Sequence, residues 1–490
     1  MRILVVGGSG YIGGRLVLLL ASRGHDLVLL GRNPAPLGAR FPQARVVEGD
    51  LRDARALRSA LDGVELAYYL AHSMDGDPSG FVQTDRAAAD SFGAAAAAAG
   101  VTRVVYLGAL AGPGATRSLH IASRHETGSI LARHGVPVTE FRAGVVVGSG
   151  SAAFELIRSL AERLPIMLAP RWLSSPCQPI GIADVLDYLL GAIDHPEIDG
   201  VVEIGGPNVL CYGDMIDAYA RRRGLRRRLR IPVPIAAARL SSYLVSLPTP
   251  IPSGVARRLI EAALANATVR VGGPALAFGL VPLGFEEVLR RAIDRSDRHA
   301  VESTWFDAYR ARRRQTLPGT LPGKLPGKRL LTDRRVLNVM AAGERVFAEV
   351  ERVGGATGWP YANILWRIRG VADRAAGGVG MRLGRRDPER LRVGDPVDLW
   401  RVEEIRRPEL LRLRDAMKLP GRAWLQYEVL PRSDGSGSIL VQTAYFEPHG
   451  LGGLLYWYGL MPVHPWIFRG MIAELAVRAA RAGGDVAHLV

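Results

Sequence analysis

The sequence predicts an α/β chain, a doubly wound parallel sheet followed by a smaller α+β domain, and three observations carry that reading. Short apolar runs alternate with Ala-rich helical stretches through residues 1–145. The first of those runs ends in a glycine cluster that opens a helix. A tandem Leu-Pro-Gly repeat around residue 320 then interrupts regular structure.

The apolar runs fall at 3–6, 27–30, 45–47, 66–70, 104–107 and 138–141. Helical composition fills 11–22, 54–61, 83–99 and 123–134, with Gly100 and Val136-Pro137 as punctuation. Strand–helix–strand units of this length need a parallel sheet, because only a crossover helix returns the chain to the same edge. From 150 to 310 the pattern loosens around Ile231-Pro232-Val233-Pro234 and the Pro-rich stretch 247–252, as in a segment that covers the substrate side of such a sheet. Leu317-Pro318-Gly319-Thr320, Leu321-Pro322-Gly323-Lys324 and Leu325-Pro326-Gly327-Lys328 mark a linker, taken as 311–331. Strand-like runs at 398–402, 423–429 and 438–446 and a helical segment at 465–482 assign 332–490 to a separate α+β domain. A chain of 490 residues is long enough for two or three such cores.

The glycines carry the first chemistry. Gly7, Gly10 and Gly13 are spaced Gly-x-x-Gly-x-x-Gly between a first strand and a first helix, the dinucleotide-binding arrangement of a Rossmann-type domain. Gly7 makes the tight turn, Gly10 admits the backbone to a pyrophosphate, and Gly13 lets helix and sheet pack closely; Tyr11 and Ile12 complete the loop. The helix N-terminus then faces the phosphates. At the end of the second strand the chain reads Leu30-Gly31-Arg32-Asn33, where an NAD enzyme offers a carboxylate to the ribose. Arg32 suits a 2′-phosphate, so NADP(H) is preferred and NAD(H) is the weaker alternative. Asp50 and Leu51, after the third strand, stand where related folds place a carboxylate near the adenine, although Asp50 could equally cap a helix.

The formal charge of +16 comes from 63 Lys plus Arg against 47 Asp plus Glu, but Lys occurs only at Lys324, Lys328 and Lys418. Scattered arginine of this kind reads as coding bias, and no nucleic-acid partner is implied. Cys177 and Cys211, distant in sequence and without neighbouring His or Cys, give neither a disulfide framework nor a metal site and fit a reducing cytoplasm. Met1-Arg2 leads directly into the first strand with no cleavage site behind it. No stretch reaches the ~20 apolar residues of a spanning helix. The nearest, 454–468, is broken by Pro462, His464 and Pro465, which leaves peripheral contact with a membrane surface open.

With Gly49-Asp50-Leu51, Gln178-Pro179-Ile180-Gly181-Ile182-Ala183-Asp184-Val185 and Glu203-Ile204-Gly205-Gly206-Pro207 added to the glycine loop, the first 300 residues resemble the short-chain dehydrogenase/reductase superfamily. The likeness is to its extended or atypical branch, beside sugar-nucleotide epimerases and NmrA-like proteins. Asp398-Leu399-Trp400-Arg401-Val402, Met417-Lys418-Leu419-Pro420-Gly421-Arg422-Ala423-Trp424 and Gln442-Thr443-Ala444-Tyr445-Phe446-Glu447-Pro448 extend the resemblance over nearly the whole chain. It is similar to bacterial YbjT-like proteins, which join an NAD(P)-binding domain to a C-terminal DUF2867 domain. That resemblance implies a helix-grip fold (START/polyketide-cyclase-like) for the second half, with a lipophilic ligand, and Trp359, Trp366, Trp400, Trp424, Tyr445, Tyr456 and Trp457 supply aromatic material that more often builds core than cavity. Glu403-Glu404 reads as a solvated strand end.

The superfamily's reductases use a Tyr with a Lys four residues later, and no Tyr here has that partner. Around Ser123-Arg124-His125-Glu126 the helix resembles the one carrying that Lys, which puts Arg124 in its place and His120 four residues before it. One helical turn apart, the two can face one cleft: His120 as a proton-transfer group with a pKa near neutrality, Arg124 as fixed positive charge. His125 is a second candidate. The stretch Tyr106-Leu107-Gly108-Ala109-Leu110 lacks the usual Ser or Thr. The leading expectation is an NADP(H)-dependent oxidoreductase acting on a hydrophobic carbonyl or alcohol. A non-catalytic NAD(P)(H) sensor and a peripheral lipid-handling protein are the alternatives.

Overall fold

A run such as Ile3-Leu4-Val5-Val6 offers apolar side chains to both faces of a sheet, and so requires helices on both sides. The computed structural model describes residues 1–71, 78–112, 118–233, 238–246, 248–251, 253–270, 274–298, 301–305, 307, 330–375, 378, 380–432 and 436–481. They divide into two compact units, Met1–Arg314 and Gln315–Val490, and the Leu-Pro-Gly repeat lies outside the described residues.

The first unit is built on β1 (Arg2–Val6), β2 (Asp26–Gly31), β3 (Arg45–Glu48), β4 (Leu66–Tyr69), β5 (Arg103–Ala109), β6 (Val138–Ala143) and β7 (Gly200–Ile204). All pair in parallel, in the order β7-β6-β5-β4-β1-β2-β3. The order reverses at β1, and ligands of such sheets bind outside the carboxyl ends of the strands at that switch point. Its helices are α1 (Tyr11–Ser22), α2 (Pro34–Arg40), α3 (Ala54–Leu61), α4 (Pro78–Ala98), α5 (Leu119–Ala132), α6 (Ala152–Arg163), α7 (Ile182–Asp194), α8 (Tyr212–Arg222), α9 (Ala238–Ser246), α10 (Ser253–Ala263) and α11 (Phe285–Asp297). Leu16, Val17 and Leu20 of α1 pack with Val185 and Leu189 of α7 on one face. Leu57, Phe92 and Ile130, from α3, α4 and α5, cover the other.

Two helices begin earlier than the sequence suggested. Pro78 opens α4, its fixed φ and missing N–H suiting a first helical turn. Leu119 opens α5, which puts His120 in the first turn. Three short ribbons complete the segment after β6, and one of them pairs Leu210–Cys211 antiparallel with Pro176–Cys177. The two free cysteines, distant in sequence, therefore lie on adjacent strands.

The second unit is α+β. Its strands β8 (Leu331–Val339), β9 (Pro396–Val397), β10 (Trp400–Arg406), β11 (Leu410–Asp415), β12 (Gly421–Pro431) and β13 (Ser438–Pro448) form an antiparallel sheet in the order β8-β13-β12-β11-β10-β9. Its helices are α12 (Gly343–Glu351), α13 (Asn363–Ala375), α14 (Gly450–Leu460) and α15 (His464–Arg481). Phe347 and Val350 of α12 and Met471 and Leu475 of α15 pack in one core with Leu411, Leu413, Leu425 and Tyr427 of the sheet. Trp359 and Trp366 stack at 4.7 Å, and Trp400 and Trp457 join the same core. Glu403 and Glu404 are not a solvated strand end. Their side chains are nearly buried, with Glu404 2.8 Å from Arg412 and Glu403 3.8 Å from Arg414, because β11 returns beside them carrying the opposite charges.

Candidate functional site

At the end of β1 the chain turns at Gly7 with φ +89°, a conformation that disfavours any residue with a Cβ. A Cβ there would also stand 2.7 Å from the carbonyl carbon of Leu70, so the ends of β1 and β4 meet backbone to backbone. Gly10 N donates to Gly7 O at 2.9 Å and closes the turn. A Cβ on Gly13 would lie 2.3 Å from Gly7 O, which fixes how closely α1 packs on its own strand. α1 has no side-chain cap and no acidic residue in its first turn. Its first N–H groups and the positive end of its dipole are left for an anion.

One cavity of about 420 Å³ gathers Gly7, Gly10, Tyr11, Ile12, Gly13, Arg32, Asp50, Leu51 and Arg124 in its walls. Arg32 is exposed and makes no hydrogen bond or ion pair among the described residues. Beside it, the buried side-chain nitrogen of Asn33 also lacks a partner there. Asp50 accepts from Arg52 N at 3.1 Å and Arg52 Nε at 2.8 Å, and the hydrogen bond to that guanidinium holds its carboxyl below the usual range. The cap of α3 is Asp53, which accepts from Arg55 N and Ala56 N, so Asp50 is not needed for that task. Burial pushes the Tyr11 hydroxyl up to about 12.

Arg124 is tied to the carboxyl end of β5. Its guanidinium donates to Leu107 O, while the Tyr106 hydroxyl donates to Arg124 O at 2.9 Å. His120 lies outside the cavity walls. Desolvation, then the like charges of Arg124 and Arg258, push its imidazole down to about 3, which corrects the near-neutral value expected for a proton-transfer group. His120 does lie on α5, one turn before Arg124, as expected. His125 Nε2 sits 2.8 Å from Ala109 O and is engaged with the strand backbone.

Sequence reasoning missed much of the wall. Tyr69, Leu70 and Ala71 at the end of β4, Thr84 and Asp85 of α4, and Tyr212, Val255, Leu259, Ala262 and Trp305 also line the cavity. The end of β4 was accessible from strand order alone, because β4 adjoins β1 at the switch point. Trp305 and the α10 side chains come from the irregular segment, where no periodicity announces them.

A parallel sheet in this order, with a glycine turn and a bare helix N-terminus at its switch point, defines a dinucleotide-binding domain. Residues 7–136 match the NAD(P)H-binding family model, and residues 325–471 match that of a protein family of unknown function, DUF2867. The chain thus joins an N-terminal NAD(P)H-binding domain to a C-terminal DUF2867 domain. It is 40% identical over 70 residues to a 3 beta-hydroxysteroid dehydrogenase/Delta 5→4-isomerase of Mycobacterium tuberculosis, covering 14% of this chain and 19% of that protein. With sterol demethylase protein B of Methylococcus capsulatus it shares 34% identity over 110 residues, 22% of this chain and 34% of the relative. The chain therefore spans about a fifth to a third of the length of these curated relatives. Among solved structures, the NADPH-dependent quinone oxidoreductase QOR2 of Escherichia coli in complex with NADPH gives a TM-score of 0.47 at 21% identity, over 59% of this chain and 99% of that one. Among the described residues no group of three or more His, Cys, Asp or Glu could hold a metal ion, and no helix is long and apolar enough to cross a membrane.

Proposed function

We propose that the chain is an NADP(H)-dependent oxidoreductase of atypical short-chain type acting on a hydrophobic carbonyl or alcohol. The observation that carries this reading is a single cavity that joins the glycine turn, the bare α1 N-terminus and Arg32 to the apolar side chains of Val255, Leu259 and Ala262. The preference for the phosphorylated cofactor rests on Arg32, exposed on that wall where a carboxylate would select NAD. The unpartnered Asn33 nitrogen and the first N–H groups of α1 suit phosphate and ribose oxygens.

A bound nicotinamide supplies or accepts a hydride. Arg124, fixed by Leu107 O, presents positive charge to the oxyanion that would form on the substrate carbonyl oxygen and cannot itself give up a proton at ordinary pH. Neutral His120 is a positioning candidate beside it, and proton exchange falls to water. Relatives named for steroids and sterols support an apolar substrate class. The second unit, with a six-stranded antiparallel sheet and the long α15, is proposed as a helix-grip module that helps capture such a substrate, and the two free cysteines support a reducing cytoplasmic setting.

One observation favours the second reading, a non-catalytic NAD(P)(H) sensor: among the described residues, no His or Lys lines the cavity. Stopped-flow mixing of the NADPH complex with a panel of hydrophobic ketones and aldehydes separates the two. Oxidation of NADPH that is lost in Arg124→Ala supports the enzyme. Tight binding of reduced and oxidised cofactor with unequal affinity, and no turnover of any compound, supports the sensor.

A further inference from the structure

Two helices of the second unit turn apolar stripes outward. On α13, Trp366, Gly370 and Asp373 are buried, and the opposite side exposes Ile364, Ile368 and Val371 at helical spacing. On α14, Gly453 and Trp457 face the core while Leu451, Leu455 and Tyr458 stand in solvent; Leu451 is 72% exposed and Leu455 67%. Met461, Val463 and Trp466 continue that stripe into the start of α15. The stripes border one another. Arg369 of α13 donates to the Tyr456 hydroxyl of α14, and Tyr361 meets Trp466 edge-on at 5.2 Å.

Helices facing solvent normally place polar residues on this side. Nine large apolar side chains across α13, α14 and the start of α15 exceed the scattered exposure usual on a protein surface. Within these segments the exposed charge has one sign. Between residues 361 and 374 and between 449 and 473, the sole carboxylate is Asp373, which is buried and accepts from Gly380 N and Lys418 N. The same stretches carry Arg367, Arg369, Arg374 and Arg469, and both Arg367 and Arg469 are exposed.

We propose that this α13–α14 face docks on an anionic lipid surface. Aliphatic side chains enter the acyl boundary, Tyr458 and Trp466 sit at headgroup depth, and Arg367 and Arg469 meet lipid phosphates. A second copy of the chain fits the apolar stripes but leaves these guanidinium groups opposing their own kind, which is why charge favours the membrane.

The test is co-sedimentation of the full chain with vesicles of phosphatidylcholine containing phosphatidylglycerol, against phosphatidylcholine alone. The protein pellets with the anionic vesicles at low salt, several-fold less with the neutral ones, and is released as salt rises. Ile368→Asp combined with Leu455→Asp lowers the partition coefficient by roughly tenfold or more, with helical circular dichroism and cooperative melting unchanged. Arg367→Glu with Arg469→Glu removes the preference for phosphatidylglycerol. Failure to pellet at low salt, or equal pelleting by the parent and the double Asp variant, overturns the proposal. So does a parent that sediments as a dimer and becomes a monomer on the double Asp substitution, since the face then belongs to a second copy.

Discussion

Replacing Arg32 with Ala separates the two cofactors. Arg32 is exposed and engages no described side chain in an ion pair, so its removal leaves the fold within about 0.5 kcal/mol of the parent. A charge-assisted hydrogen bond to a phosphate is worth about 1.5–3 kcal/mol, and exposure to solvent places this one at the lower end. About 1.5 kcal/mol corresponds to roughly a tenfold rise in Kd for NADPH. NADH, without the 2′-phosphate, should change by less than about twofold. Isothermal titration at two salt concentrations provides the check, because screening shrinks the NADPH effect while leaving NADH unaltered. Equal weakening of both cofactors would refute the reasoning, since the lost interaction could not then be with the 2′-phosphate; so would no change in either.

Gly13→Ala forces a Cβ to within 2.3 Å of Gly7 O, so overpacking should cost about 1–3 kcal/mol in a thermal melt, together with cofactor affinity. Arg15 is 2% exposed and its guanidinium holds the Ser303 hydroxyl and Ser149 O, each at 2.9 Å, so Arg15→Ala should lose about 2–3 kcal/mol, read by urea unfolding. His120 has a folded pKa of about 3, below the unfolded value near 6.5. The unfolded chain therefore takes up the proton first, and this contribution to stability is present above about pH 6.5 and drains away as pH falls toward 3. His120→Gln should flatten that part of a melting-temperature profile, and an unchanged slope between parent and variant would remove His120 from the account. The pH dependence of turnover, if His120 carried the proton, would show a break near neutrality; none is expected from this residue.

The sequence made the first unit legible wherever one physical pattern sufficed. Uninterrupted apolar runs declared β1, β2, β4 and β5, since strands buried on both faces have no polar side to confuse the period. The Gly7-Gly10-Gly13 spacing declared the turn, because close backbone approach at Gly7 and Gly13 leaves no room for a Cβ. Legibility failed where burial was achieved by pairing charges. Leu410-Leu411-Arg412-Leu413-Arg414 went unread as β11, since nothing local says that Arg412 will find Glu404 on β10 and Gln426 on β12. It failed again at His120, where the identity of the side chain suggested a titrating group and burial beside Arg124 and Arg258 decided otherwise. Long-range walls such as Trp305 have no local signature at all.

The Ser303 hydroxyl donates to Tyr11 O at 2.7 Å, Arg15 spans the same two segments, and Trp305 N donates to Gly150 O at 2.8 Å. The first helix of this unit is thus latched by one of its last stretches. A nascent chain that has already made β1 and α1 must hold them without that latch through nearly three hundred further residues, so nucleotide in the surrounding fluid can engage a finished cavity only late in synthesis.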